Sequence, residues 1–128
     1  MTSKKITTAK YEVTLLEDGI VENFIKSGAV MEEQDVTMLK QHNFEAAGQK
    51  PYVILVTPGE LVTFTSEARQ LAASKNFIEA ARAKALLINS IGNKIMGNFY
   101  LKVNKPFIKT KIFSDREKAL VWLRSIIK

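Results

Sequence analysis

Seven cations lie between Ala80 and Ser114 with no acid among them: Arg82, Lys84, Lys94, Lys102, Lys105, Lys109 and Lys111. The stretch is bounded by Glu79 and Asp115. A merely solvated surface intersperses both signs, so this run is the first place to look for chemistry. It suits an anionic partner, either an acidic protein surface or an anionic lipid headgroup. Nucleic acid fits poorly. Arg82 is the only arginine in the run, and Phe99, Phe107 and Phe113 are expected in the core, not as stacking platforms. Within the run, Asn89-Ser90-Ile91-Gly92 stands where a strand feeds a helix. Ser90 and the free amides after it, Gly92 included, can cap that helix or grip a small anion. Lys94, Lys102, Lys109 and Lys111 are expected to face solvent and to add to such a contact. On an edge strand, lysines also deter aggregation.

Catalytic chemistry finds little to work with. His42 is the single histidine, and no Gly-x-Ser-x-Gly motif supplies a nucleophile for it. Glu32, Glu33 and Asp35 lack the loop glycine and alternating acids of a calcium site. Their place in a first helical turn, where they complement the helix dipole, explains them. Gly92 and Gly97 belong to neither a dinucleotide fingerprint nor a P-loop. With no cysteine there is no thiolate, disulfide or Cys-ligated zinc. A non-enzymatic protein without cofactor or metal is the expectation.

These residues must be carried by one domain, since 128 residues with 46% hydrophobic and 25% charged side chains form a single sizeable core. The opening Met-Thr-Ser-Lys-Lys reads as a short polar tail. It has no apolar run behind it, and no window suits a membrane-spanning helix. A cytoplasmic protein, not integral to a membrane, is expected. Charge is unevenly divided. Residues 1–64 carry six lysines against nine acids, a net of −3, and residues 65–128 carry thirteen cations against four acids, a net of +9. Opposite ends of such a chain prefer different partners, or one another in a homo-oligomer.

Val13 and Leu15 alternate with Glu12 and Thr14, and Asp18-Gly19 suits a tight turn into a second strand, Ile20–Lys26. Val36, Leu39, Asn43, Ala46 and Ala47 share one face of a helix that Gly48 stops. Pro51–Thr57 is an apolar run of the kind covered on both sheet faces. Thr65-Ser66-Glu67 opens a second helix, with Ala68, Leu71 and Ala72 inward. Ala83–Asn89 is another buried strand. Ser90 then starts a helix whose buried stripe is read as Ile91, Ile95, Phe99 and Val103, with Met96 and Tyr100 alongside, ended by Pro106. Phe107–Ile112 alternates as an edge strand. Ser114 and Glu117 form a capping box for a last helix with Ala119, Leu120, Trp122, Leu123, Ile126 and Ile127 inward. The fold class is α/β: one mixed five-stranded sheet, an N-terminal hairpin followed by alternating helices and strands, with four helices.

Four stretches, "EDGIVENFIK", "TSEAR", "GNFYLKVNKP" and "IFSDREKALVWL", make the chain resemble the STAS or SpoIIAA-like superfamily, the fold of anti-sigma-factor antagonists. More narrowly, it resembles small single-domain bacterial proteins of that fold without assigned function. The resemblance implies one SpoIIAA-like domain over residues 1–128 and a regulatory, protein-binding role. Antagonists of that superfamily carry a phosphorylatable serine within an Asp-Ser-Ser-Gly type of motif after the third strand. The matching place here reads Phe64-Thr65-Ser66-Glu67, which keeps the hydroxyls of Thr65 and Ser66 but loses the flanking acid and glycine. Helix capping is the alternative use of both. The fold also resembles lipid-transfer domains, which implies a second reading: a carrier holding an apolar or lipid-like molecule between helices and sheet.

Overall fold

The computed structural model describes residues 5–75 and 80–127, so Glu79 lies outside the described residues. Residues 1–4 of the expected polar tail lie outside the described residues, and its last residue, Lys5, opens a strand the sequence pattern does not announce, β1 (Lys5–Thr7). It pairs antiparallel with β2 (Tyr11–Glu17), which turns at Asp18-Gly19 into β3 (Ile20–Ile25). Gly19 sits at φ +83°, where a side chain would be strained. After the two-residue strand β4 (Val30–Met31) comes α1 (Glu33–Ala46). Asp35 accepts the Glu32 backbone amide at 2.8 Å at its start, and Gly48 follows its end at φ +73°. Val36, Leu39, Asn43 and Ala46 are its buried face, as the periodicity predicts.

β5 (Tyr52–Pro58) is buried on both sides over its first four residues. β6 (Thr63–Phe64) pairs parallel with β4 in a separate two-stranded sheet. α2 (Ser66–Ala73) follows, with Thr65 as its cap: the Thr65 hydroxyl accepts the Ala68 amide at 3.1 Å. Next come β7 (Ala81–Leu87), α3 (Ile91–Phe99) and a π-helical turn, η1 (Tyr100–Asn104), closed by the Lys105 amide donating to the Tyr100 carbonyl at 3.2 Å. β8 (Lys109–Phe113) and α4 (Arg116–Ile127) complete the chain.

The main sheet has six strands in the order β1-β2-β3-β5-β7-β8, one more than expected. β3, β5, β7 and β8 run parallel, and β8 is an edge. The missed strand is three residues long, too short to show a period. α4 covers one face, burying Ala119, Leu120 and Leu123 on Ile20, Val53, Leu55, Ala83 and Ala85. The other three helices lie across the opposite face.

Two local expectations are corrected. Asp115, not Ser114, caps α4, accepting the Lys118 amide at 3.1 Å. α3 is also turned over relative to its expected stripe. Asn93, Gly97 and Tyr100 are buried, while Ile91, Ile95, Phe99 and Val103 are 79%, 65%, 44% and 58% exposed. The reason is Gly97. A Cβ there would stand 3.2 Å from Ile112 Cδ1 and 3.8 Å from Leu86 Cδ1, so the bare backbone sits directly on the sheet. Close approach by the glycine face outweighs burial of the bulkier one.

Candidate functional site

Between α1, α2, α3 and the sheet lies a cavity of about 130 Å³. Its wall is mostly hydrocarbon, including Ile25, Val56, Phe64, Leu86, Met96 and Ile108. Polar groups enter at a few places, and three of them are cations: Lys40 from α1, Arg69 from α2 and Lys84 from β7. Among the described residues, no carboxylate lines the cavity.

Each cation is held by neutral groups. Lys40 Nζ donates to the Ser74 hydroxyl at 3.3 Å and, more weakly, to the Ser74 carbonyl at 3.5 Å. Lys84 Nζ donates to the Tyr100 hydroxyl at 3.2 Å and lies 5.3 Å from the centre of that ring. Arg69 Nη1 donates to the Phe64 carbonyl at 2.6 Å, and its guanidinium packs 4.9 Å from the Phe99 ring centre. Arg69 Nε is buried with no partner. Burial, and then the charge of Lys84, push the Lys40 ammonium down to about 8. An anion placed among these groups relieves both causes at once, because it supplies the missing counter-charge in a medium where charge is poorly screened.

Deeper in the wall, burial pushes the Tyr52 hydroxyl up to about 12, so it is a neutral donor. Asn23 and Asn43 are also in the wall and hydrogen-bond each other. Pro58 and Ile88, at the carboxyl ends of β5 and β7, also line the cavity, and that end of parallel strands is the usual ligand crevice of such sheets.

The residues singled out in the sequence are only partly brought together. Ser90 caps α3, its hydroxyl accepting the Asn93 amide at 3.0 Å, and Gly92 is exposed, where an added Cβ would meet only the Ser90 hydroxyl at 3.9 Å. Lys94 and Lys102 are exposed on α3 and η1, on the cavity's side of the sheet. Lys109 and Lys111 fall opposite Ala83 and Ala85, hence on the α4 face, where Lys111 lies over the Phe113 and Trp122 rings. The sheet edge therefore divides the four lysines into two pairs. Thr65 spends its hydroxyl on capping, and Ser66 is exposed beside it.

Lys40 and Arg69 are cavity residues that sequence reasoning missed. A signal existed for Lys40, which stands four residues after Val36 and three before Asn43, at the border of the buried face. His42 Nδ1 lies 2.8 Å from the Tyr11 hydroxyl, away from the cavity wall. Burial, then the Asp35 charge, push Tyr11 up to about 12, which makes it an anchor and a poor nucleophile. Among the described residues, no group of three His, Cys, Asp or Glu side chains is placed to hold a metal ion. Nor is any described helix long and apolar enough to cross a membrane.

Residues 14–127 match the profile of a family described as a domain of unknown function, DUF7793. The chain belongs to the DUF7793 family. Among solved structures, this DUF7793 domain is similar to an uncharacterized protein of the DUF3478 family with a SpoIIAA-like fold from Shewanella loihica PV-4. The two share 10% identity at a TM-score of 0.53, with 95% of this chain and 92% of that one covered. The likeness shows that the DUF7793 domain has a SpoIIAA-like fold, as its motifs suggested. At this identity it carries the fold alone. A search of curated proteins gave no match.

Proposed function

We propose that this domain is a non-enzymatic binding module for a small apolar anion. The hydrocarbon part occupies the cavity, and the anionic head is held among Lys40, Lys84 and Arg69. One observation carries the reading: three cations border an apolar cavity, and no described carboxylate neutralises them. Size narrows the ligand. A dry cavity of ~150 Å³ accommodates benzene, so about 130 Å³ suits one aromatic ring or a short branched chain bearing a carboxylate. A longer lipid needs α2 and α3 to part.

Native mass spectrometry of the freshly purified protein, followed by calorimetric titration with benzoate, 3-methylbutanoate and neutral benzyl alcohol, tests this. The carboxylates are expected to bind and Lys40→Met to weaken them about tenfold or more, the scale of one charge-assisted hydrogen bond. Equal binding of benzyl alcohol, or no binding of any carboxylate, overturns the reading.

A second reading, a regulatory docking module, is supported by the division of labour at the start of α2. Thr65 takes the cap, which leaves the Ser66 hydroxyl exposed where added phosphate charge meets the positive end of a helix. Replacing Ser66 with Glu should alter the set of proteins retained in a pull-down with the fold intact. An unchanged set refutes it.

A further inference from the structure

Ile91, Ile95, Phe99 and Val103 recur every fourth residue on the exposed side of α3 and η1, Phe99 being partly covered by Arg69, with Phe107 64% exposed just beyond. At about 1.5 Å per residue this row is roughly 18 Å long. Soluble surfaces ordinarily scatter large apolar side chains singly; here four recur along one helical side and Phe107 follows them. Lys94, Asn98 and Lys102 form a second exposed row beside them, and Lys105 lies at its end. Among the described residues, the carboxylates that form ion pairs meet Lys5, Lys10, Lys50, Arg116 and Arg124, and none meets these three lysines.

We infer that α3 and η1 form a face for peripheral docking on an anionic phospholipid bilayer. The apolar row enters the boundary between headgroups and acyl chains, and Lys94, Lys102 and Lys105 meet lipid phosphates. An apolar ridge flanked by uncompensated lysines is the pattern of a helix lying in such an interface. Charge decides against a second copy, since two-fold pairing sets one lysine row against the other. A row of large apolar side chains along a helix decides against a folded acidic protein, which would need a matching apolar groove, whereas a fluid bilayer closes around the row. The inference stands on the exposed face and does not depend on the cavity ligand, although the same helix lends Asn93, Met96 and Gly97 to the cavity wall.

Flotation of the full chain with phosphatidylglycerol–phosphatidylcholine vesicles, and with phosphatidylcholine alone, tests it. Binding is expected on the anionic vesicles and at least about tenfold weaker on the neutral ones or at high salt. Ile95→Asp with Val103→Asp should abolish flotation, and Lys94→Glu with Lys102→Glu should lower it on anionic vesicles. All four positions are exposed, so circular dichroism should show each variant folded. Three results overturn the inference: no flotation at low salt, flotation that Ile95→Asp with Val103→Asp leaves unchanged, or a dimer in light scattering that this variant dissolves while vesicles are ignored. The last assigns the face to self-association.

Discussion

Asn23 on β3 and Asn43 on α1 exchange two amide hydrogen bonds, Asn23 Nδ2 to Asn43 Oδ1 at 2.6 Å and Asn43 Nδ2 to Asn23 Oδ1 at 3.0 Å, each residue 2% exposed. The pair ties α1 to the middle of the sheet through groups that satisfy each other. Removing one leaves the other buried without a partner. Asn43→Ala should therefore cost about 2 kcal/mol in urea unfolding. The double variant Asn23→Ala, Asn43→Ala should cost less than the two single losses added together, by about 1–2 kcal/mol. Simple additivity argues against the exchange.

Lys40 links the cavity to pH. Its folded value of about 8 lies below the ordinary 10.5, so the native state gives up this proton first. Between those two values the unfolded chain binds more protons, and stability should rise with pH. Below about 8 the penalty is present in full. Urea midpoints at pH 7, 8, 9 and 10 should climb for the wild type and stay flatter for Lys40→Met, which should also start higher. Carboxylate affinity should run the other way. It should be level below about 8 and fall by up to about tenfold per pH unit above it, as the cation is lost.

Glu22 and Arg116 join β3 to the start of α4 by paired bonds of 2.8 and 3.1 Å, and Thr57 donates to the same carboxylate at 2.8 Å. Burial alone would raise the Glu22 carboxyl, but the Arg116 and Thr57 hydrogen bonds and the Arg116 charge outweigh it and hold it below its usual range. The resulting stability is present above the ordinary carboxylate value and is lost as pH falls through the lowered folded one. Arg116→Met should cost about 1 kcal/mol at neutral pH, a partly exposed pair being screened by solvent. In acid titration followed by circular dichroism, its unfolding midpoint should move to higher pH.

Gly19 joins the hairpin to the end of the chain. At φ +83°, an added Cβ would also come within 2.7 Å of Ile127 Cγ1. Gly19→Ala should lower stability by about 1–2 kcal/mol. Combining it with Ile127→Ala should remove the clash and leave the backbone part, so thermal melts of the two variants and the pair should be non-additive.

Much of the scaffold was legible because its signals are local. Asp18-Gly19 dictates a turn by its backbone freedom, the apolar run from Pro51 marks a strand covered twice, and Val36, Leu39, Asn43 and Ala46 repeat at helical spacing. The face of α3 was misread because counting apolar side chains assumes that the bulkiest row goes inward. Gly97 inverts that rule through the absence of a side chain. β1, β4 and β6 are too short to carry a period at all.

Sequence alone determined the α/β order and the acid-free stretch, since each depends on neighbours within a few residues or on composition, while the SpoIIAA-like character came from resemblance of its motifs to a known family. Tertiary structure decided where the charge acts. The register of β8 on β7 sends Lys109 and Lys111 to the α4 face, while Lys84 turns inward to join Lys40 and Arg69 around the cavity. Those three cations come from distant parts of the chain. Only the parallel pairing of strands and the packing of α1 and α2 over them create a space where the cations meet without a counter-charge.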